Sequence, residues 1–312
     1  MSAPLWLGPL FAFFSSCTWA VGSANYSRMS RVFTPFQVNF SRALFALPLF
    51  LAAVVVANGG LDGASRAFSA LEPRHFGWFA LSMTASYAIG DVLFLWSTVS
   101  LGVPGALAIA SGYPIFTAIF GMIAGETIHL RQWAGLFVAI GGIVAVILSN
   151  PKKDVAAEPP PDGVSTVRPW MREKSSGVAL AIATALAWAT NAYSVARGGA
   201  GIDGAVANVV RMSFALVLIS AFGGIALGRV VTPMPFGFLK KYAWLFVLEA
   251  FGGSYFYLYG LSNSSIVLGS VLASLAPVIA VPIAVALRLE KFSWIRTAAV
   301  ASVVVGLALL VQ

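Results

Sequence analysis

The sequence predicts an all-α, polytopic membrane protein with ten transmembrane helices, arranged as two inverted five-helix repeats around a central cavity. Its composition indicates a membrane, because 59% of its residues are hydrophobic and only 10% are charged, whereas soluble domains carry about 25% charged residues. An internal repeat indicates the two halves. Four residues recur at an offset of 169, namely Trp19, Arg28, Asn39 and Arg42 as Trp188, Arg197, Asn208 and Arg211.

Hydropathy separates ten apolar runs of about 20 residues, the length that crosses roughly 30 Å of hydrocarbon as a helix. The runs do not alternate polar and apolar residues as the strands of membrane β-barrels do. The first run lacks the basic start and the cleavage site of a signal peptide, so we expect it to be retained as a span. The predicted spans are 5–27, 33–57, 76–99, 103–124, 131–149, 177–198, 203–227, 242–262, 265–288 and 293–311.

The repeat divides the chain into a first five-helix repeat, 1–149, and a second, 177–312. Residues 150–176 between them are rich in proline and charge and poor in aliphatic residues, which is typical of a flexible linker. Five crossings in each half place the second copy upside down relative to the first, an architecture that recurs in secondary transporters. Further matches at offsets of 163 and 164 are Tyr113-Pro114 with Ala276-Pro277, Glu126 with Glu290, and Gly142 with Gly306.

Pro114 and Pro277 occupy equivalent places inside spans. A proline inside a helix removes a backbone hydrogen bond and kinks the helix. We therefore predict a structural or gating role for both residues.

Two arginines fall at membrane depth, where a charge costs roughly 2.5–3.5 kcal/mol on insertion scales. Each follows an asparagine by three residues, Asn39 before Arg42 and Asn208 before Arg211, so each pair shares a helix face. Because both halves keep the pair, the sequence favours a structural role for all four residues over substrate contact.

Asp91 is the strongest acidic candidate at membrane depth. Its repeat counterpart is Ser254 at an offset of 163, so only one half carries this acid. Two interpretations stay open: Asp91 meets a substrate ammonium group or a proton, or it forms a buried ion pair with Arg42 or Arg211. Glu249 lies closer to the start of its span and is a weaker candidate.

Aromatic residues are dense in the third and eighth spans and near the repeated tryptophans. An aromatic cavity holds flat or apolar groups and attracts an ammonium group through cation–π contact. Interfacial belts are the competing interpretation near span ends, but they fit the mid-span Tyr87 and Tyr257 poorly. The predicted substrate-binding residues are Trp19, Tyr87, Asp91, Trp96, Trp188, Tyr193, Tyr255, Tyr257 and Tyr259.

Several function classes are excluded by the sequence. The basic residues lie in short loops between apolar spans and form no patch with stacking aromatics, so we expect no nucleic-acid partner. A single cysteine, Cys17, excludes an internal disulfide and a cysteine metal site. Metal-ligand spacings, phosphate loops and catalytic triads do not appear in the sequence. We therefore expect no enzyme, no metal and no cofactor; an intramembrane enzyme using Asp91 and Glu249 as an acid pair gains no support from the repeat.

A recognisable set of residues runs through the first half: Trp19 in the first span, Arg42 early in the second, Pro114 within the fourth, Gly125-Glu126 at its end and a glycine-rich fifth span. With this set the chain resembles the ten-helix drug/metabolite transporter superfamily, in its two-domain, EamA-type permease branch. The resemblance covers nearly all the chain except the linker. It implies a secondary transporter in the bacterial inner membrane that exports or exchanges small metabolites by alternating access. Amino acids, including aromatic or apolar ones, are the cargo it implies.

The partners expected from this resemblance are a small-molecule substrate and the lipid bilayer, with the chain as a monomer or weak homo-oligomer. A metabolite channel is one alternative function, and an exporter of drugs or lipophilic cations is another. Small drug exporters of the superfamily carry a glutamate in the first helix, where this chain has Ser15, Ser16 and Thr18. The orientation has two opposed predictions: the basic loops place the termini outside, whereas the resemblance implies cytoplasmic termini.

Overall fold

The structure, a computed structural model, describes residues 4–148, 169–279 and 294–311, which form helices joined by turns and loops. In the first half the helices are α1 (Leu7–Met29), α2 (Pro35–Ala57), α3 (Leu61–Ser69), α4 (Pro73–Met83), α5 (Asp91–Ala110), α6 (Tyr113–Ile123) and α7 (Leu130–Leu148). In the second half they are α8 (Lys174–Gly199), α9 (Gly204–Leu227), α10 (Phe236–Lys241), α11 (Ala243–Leu245), α12 (Ser254–Ser262), α13 (Ile266–Ala273) and α14 (Trp294–Val311). Two π-helical segments, Thr84–Gly90 and Phe246–Gly253, lead into α5 and α12.

Six of the described helical stretches are long and apolar enough to cross a membrane: Leu7–Met29, Pro35–Ala57, Pro73–Val103, Gly105–Ile123, Lys174–Gly199 and Gly204–Leu227. They correspond to predicted spans one to four, six and seven. Spans five and ten appear as the shorter apolar helices Leu130–Ala145 and Thr297–Leu310. Span eight is divided among α11, the second π-helical segment and α12. Span nine begins with α13, and its predicted residues 280–288 lie outside the described residues. The prediction of an all-α, polytopic membrane protein is confirmed.

Most of the predicted linker, 150–176, lies outside the described residues. Its described end forms a short 3₁₀ helix, Pro169–Arg172, in which the Met171 side chain is buried. Helix α8 begins at Lys174, three residues before the predicted start of the second repeat. The first half also contains α3, a nine-residue helix that the hydropathy pattern does not predict.

The second helix of each half begins at an equivalent side-chain cap. Thr34 accepts a hydrogen bond from the Gln37 N–H at 3.2 Å, and the Gln37 side chain accepts one from the Thr34 N–H. Asp203, which is 169 positions later, accepts from the N–H groups of Ala205 and Val206 at 2.9 Å. Such caps satisfy donors that the first helical turn leaves unpaired. The two caps therefore start α2 and α9 in the same register.

The halves pack against each other through equivalent elements. Helix α2 contacts its counterpart α9, and α7 contacts its counterpart α14. Helix α1 packs against α12, and α5 packs against α8, which is the same contact seen from the other half. Since helices in lipid gain no hydrophobic drive from association, such contacts depend on close packing.

Glycines bring α7 and α14 into close contact. A Cβ atom added at Gly142 would lie 2.7 Å from the carbonyl oxygen of Ala299, and one added at Gly306 would lie 2.6 Å from that of Gly135. Both glycines belong to the repeat. The pair therefore sets how closely the last helices of the two halves approach.

We predict that Gly142→Ala lowers the melting temperature of the detergent-purified protein by several degrees, because its methyl group would press on the α14 backbone. Gly141→Ala is the matched control, since a Cβ atom there would meet no described atom within 4 Å. Alanine is favoured over glycine in helices by about 0.5–1 kcal/mol, so the control should melt at or slightly above the wild-type temperature. Equal melting temperatures for the two variants would contradict this packing account.

Candidate functional site

A cavity of about 110 Å³ lies between the two halves. A buried water needs roughly 10–15 Å³ on the same measure, so the cavity has room for a small solute. Its wall draws on both halves and on equivalent elements in each: the first two helices, the π-helical segment with the helix that follows it, and a later break between helices. The cavity therefore occupies the place that the repeat predicts.

The two π-helical segments shape opposite parts of this wall. The first carries Ser86 and Tyr87 to the cavity, and the second carries Glu249 and Gly253. The segments are repeat counterparts, because an offset of 163 maps Ser86 onto Glu249. Single π-helical turns within α-helices often mark functional sites, and here each one re-aims side chains toward the space between the halves.

Two further helices break at the cavity. Helix α5 ends at Ala110 and α6 begins at Tyr113, with Ser111 in the gap. Helix α13 ends at Ala273, and helical structure resumes at 276 after Ser274. Ser111 and Ser274 both line the cavity, so unwound backbone lies beside it in each half.

Pro114 and Pro277 lie at the start of the helical pieces that follow these breaks. A proline at a helix start removes no helical hydrogen bond. The predicted interior kinks are therefore wrong in their form, since each proline begins a new helix instead of bending a continuous one. The gating role predicted for both residues stays a prediction.

Arg42 is the best-connected charge in the cavity wall. Its side chain is 3% exposed, and its Nη1 donates to Asp91 at 2.6 Å while Nη2 donates to Glu249 at 3.0 Å. Asp91 belongs to the same half, and Glu249 belongs to the other. The ion-pair interpretation of Asp91 is thus present in the structure, with Arg42 and not Arg211 as its partner.

Neutral groups complete this cluster. Trp188 donates its indole N–H to Asp91 at 3.0 Å, and Tyr26 donates its hydroxyl to Glu249 at 2.6 Å. The Arg42 guanidinium lies 4.4 Å from the ring centres of both Tyr26 and Tyr87, within the range of cation–π attraction. We call Arg42, Asp91, Glu249 and these aromatic partners the Arg42 cluster.

Arg211 lines the same cavity with different partners. Its side chain is 2% exposed. Its Nε donates to the Ser82 hydroxyl at 3.2 Å, and its Nη1 donates to the Asn208 side chain at 2.8 Å. Ser82 in turn donates to Asn191, which donates to the Tyr257 hydroxyl. Among the described residues, the partners of Arg211 are therefore neutral.

The asparagine of each Asn-x-x-Arg pair binds its own arginine. Asn39 accepts from Arg42 at 2.9 Å and donates to the Tyr87 carbonyl, and Asn208 accepts from Arg211 and donates to the Gly204 carbonyl. These bonds fix each arginine against its helix. The predicted structural role of the pairs is compatible with this geometry and stays a prediction, although both arginines also reach the cavity.

The predicted binding residues fall into two groups. Five line the cavity: Trp19, Tyr87, Asp91, Trp188 and Tyr257. The other four do not. Trp96 packs against Phe36, Tyr193 contacts Trp78, Phe120 and Arg197, and Tyr255 and Tyr259 pack against each other and against Phe11.

Sequence reasoning missed three polar residues that line the cavity, namely Ser86, Asn191 and Ser254. It also missed Tyr26 and Ser82, which lie behind the wall and bind Glu249 and Arg211. It also undervalued Glu249. One signal was available for Glu249, namely an acid in an apolar span whose repeat counterpart is a serine, which is the same signal that singled out Asp91. Serine and asparagine in membrane helices are too common to have been selected individually.

We predict that Arg42→Ala lowers the folded yield and the melting temperature more than Arg211→Ala does. Removing Arg42 leaves two buried carboxylates without their counter-ion, and breaking a buried ion pair costs about 3–5 kcal/mol. Removing Arg211 deprives no described carboxylate of a partner. Combining Arg42→Met with Asp91→Asn and Glu249→Gln should recover part of the loss; an equal or larger loss in Arg211→Ala would contradict the assignment.

Comparison with known proteins identifies the family. One solved structure, described as "Crystal structure of protein", is similar to this chain with a TM-score of 0.69 and 17% sequence identity. The match covers 97% of this chain and 94% of the chain in that structure. A search of curated proteins found no match. The model of the EamA-like transporter family matches residues 6–148 and again residues 175–312. The predicted resemblance and the two repeats are thereby confirmed, and the chain belongs to the EamA-like transporter family.

Proposed function

We propose that this membrane transporter of small solutes is a secondary carrier of amino acids, with the cavity between the halves as its substrate site. The observation that carries the proposal is the presence of buried charges of both signs in the cavity wall. Arg42 and Arg211 supply two positive charges, and Asp91 and Glu249 supply two negative ones. Ionisable residues at membrane depth are costly and commonly mark a substrate or ion path.

The charges are unevenly distributed. Both carboxylates contact Arg42, so with both ionised this cluster carries one excess negative charge. Arg211 holds a positive charge elsewhere on the same wall, among neutral partners. A ligand with an ammonium group and a carboxylate complements such a wall. Amino acids are the common metabolites that combine both groups.

The aromatic part of the wall supports a side chain of apolar or aromatic character. Trp19 and Trp188 meet edge to face, with ring centres 5.7 Å apart, and Tyr113 approaches Trp188 at 6.3 Å. Tyr87 and Tyr257 complete this surface. Flat rings of this kind bind apolar and aromatic groups and leave their polar atoms for hydrogen bonds.

Transport by alternating access fits the symmetric construction of the site. Inverted repeats place the substrate near the midplane, and broken helices line it. Here the breaks at Ser111 and Ser274 and the two π-helical segments are repeat counterparts. A movement that opens one half toward its side therefore has an equivalent in the other half.

The alternatives find less support in the wall. A lipophilic cation matches the excess negative charge of the Arg42 cluster, but it leaves Arg211 on the same wall without a counter-ion. A channel uses the same cavity, but it would conduct without counter-transport.

We further propose that the protein lies in the cytoplasmic membrane of a bacterium, has no enzymatic activity, and works as a monomer or weak homo-oligomer.

The test is uptake into proteoliposomes of radiolabelled L-phenylalanine, L-leucine and L-tyrosine, with tetraphenylphosphonium as the cation probe. We expect saturable amino-acid uptake that unlabelled amino acid inside the vesicles accelerates, because a carrier exchanges and a channel does not. Asp91→Asn should leave the folded yield unchanged, because Glu249 still neutralises Arg42. It should lower uptake roughly tenfold or more, because the substrate ammonium loses a hydrogen bond to a charged group, which contributes about 1.5–3 kcal/mol.

Glu126→Gln is the matched control, because Glu126 binds Arg197 outside the cavity lining. It should transport at the wild-type rate. Uptake of tetraphenylphosphonium without amino-acid uptake would replace the proposed cargo, and uptake that never saturates would favour the channel.

A further inference from the structure

The two cavity arginines occupy equivalent positions in the repeat, yet the residues at their counter-ion positions differ. Arg42 binds Asp91 from its own half and Glu249 from the other half. The offset of 163 maps Asp91 onto Ser254 and Glu249 back onto Ser86. At the two positions where Arg42 has an acidic partner, Arg211 therefore has a serine, Ser254 in place of Asp91 and Ser86 in place of Glu249.

Arg211 consequently lacks an internal counter-ion in the described part of the chain. The hydrogen bonds of its Nε and Nη1 go to neutral oxygens, and its Nη2 binds no described residue. A buried charge without a counter-ion is unfavourable, since it loses hydration and gains no attraction in return. At 2% exposure, Arg211 has little access to bulk water.

The serines offer hydrogen-bond donors in the lining of the same cavity as this cation. Ser86 is 5% exposed, lines the cavity, and its hydroxyl has no hydrogen-bond partner among the described residues. Ser254 also lines the cavity. Helix α9, which carries Arg211, packs against both the segment Thr84–Gly90 and α12, so both serines belong to elements in contact with it.

We propose that Arg211 binds the carboxylate of the transported molecule, with Ser86 and Ser254 as the adjoining hydroxyl donors. The ligand then supplies the anion that Asp91 and Glu249 supply to Arg42. A guanidinium forms two parallel hydrogen bonds to a carboxylate, and a hydroxyl donates one more. The assignment of an amino acid rests on the proposed function; the anion site itself does not.

This arrangement determines which molecules the site accepts. A ligand that carries a carboxylate neutralises Arg211, whereas the corresponding amide or amine leaves that cation buried and unpaired. Sites built around a charged hydrogen-bond donor reject analogues that lack the matching group by large factors. Selection for a carboxylate therefore follows from the two serines as much as from the arginine.

The decisive variant is Ser254→Asp, which places a carboxylate where the equivalent residue of the other half binds Arg42. We expect it to raise the melting temperature of the detergent-purified protein, because it gives Arg211 an internal counter-ion. The same substitution should abolish ligand stabilisation by benzoate and lower amino-acid uptake at least tenfold. A purely structural role for Arg211 predicts the higher melting temperature with uptake unchanged, which would overturn the proposal.

Ligand binding is tested by the shift in melting temperature that sodium benzoate or neutral benzamide causes at constant ionic strength. Wild type should be stabilised by benzoate only, and Arg211→Gln should lose this stabilisation. Arg74→Gln is the matched control, because Arg74 binds Glu72 outside the cavity lining, and it should respond as wild type does. Equal shifts with benzoate and benzamide, or a retained benzoate shift in Arg211→Gln, would overturn the proposal.

The two arms separate this inference from the proposed function. A benzoate shift that Ser254→Asp and Arg211→Gln both abolish supports the anion site even if no amino acid is transported. Amino-acid uptake that proceeds in Arg211→Gln with an unchanged KM leaves the carrier intact and overturns the anion site. Should Ser254→Asp fail to fold, Arg211→Gln decides the matter through the same two measurements.

Discussion

The ion pairs of Arg42 hold the centre of this structure together. The cation comes from α2, one carboxylate comes from α5 of the same half, and the other comes from the π-helical segment of the opposite half. Three charges buried together are tolerable only if each is well paired and hydrogen-bonded. The cap at Thr34 sets the register of α2, and the π-helical turns present Tyr87 and Glu249. Trp188 binds the Asp91 oxygen that Arg42 leaves free, and Tyr26 binds a Glu249 oxygen that Arg42 also contacts. Much of the cavity wall therefore depends on keeping this one guanidinium in place.

Departures from symmetry make the duplicated scaffold chemically useful. Gly22 and Asn191 are counterparts at the offset of 169. A Cβ atom at Gly22 would lie 2.7 Å from Glu249, so the glycine makes room for that acid. Asn191 instead fills its position with an amide that links Ser82 to Tyr257. Small differences between equivalent residues thus make one side of the cavity wall, around Arg42, acidic and the other side, around Arg211, basic.

The repeat carried the sequence-based predictions further than residue type did. The offset that aligns polar residues requires no knowledge of packing, and it correctly predicted two repeats. It also paired Trp19 with Trp188, and both line the cavity. Residue type at a given depth was less informative. Tyr255 and Tyr259, both predicted to bind substrate, lie on one helix face that packs against Phe11. The sequence of a single span does not reveal which neighbouring helix covers such a face.

Glu249 illustrates what periodicity leaves out. Its nearness to the start of a hydropathic span suggested a shallow position, yet it contacts Arg42 and Tyr26 from the opposite half of the chain. The contact depends on the π-helical turn, which shifts the side chain relative to a regular α-helix and has no sequence signature of its own. The sequence does not reveal which residues of the two halves meet. The one indication was the repeat alignment, which places an acid, Glu249, at the position equivalent to Ser86.

The central claim is that the charges between the halves receive the two charged ends of one substrate molecule. An experimental structure with 4-bromo-L-phenylalanine bound tests it most directly, because the bromine marks the side chain independently of the rest of the density. We predict bromine among Trp19, Trp188 and Tyr257, with the carboxylate on Arg211 and the ammonium group toward Asp91 and Glu249. A molecule bound outside the cavity, or inside it with the carboxylate directed away from Arg211, would contradict the account.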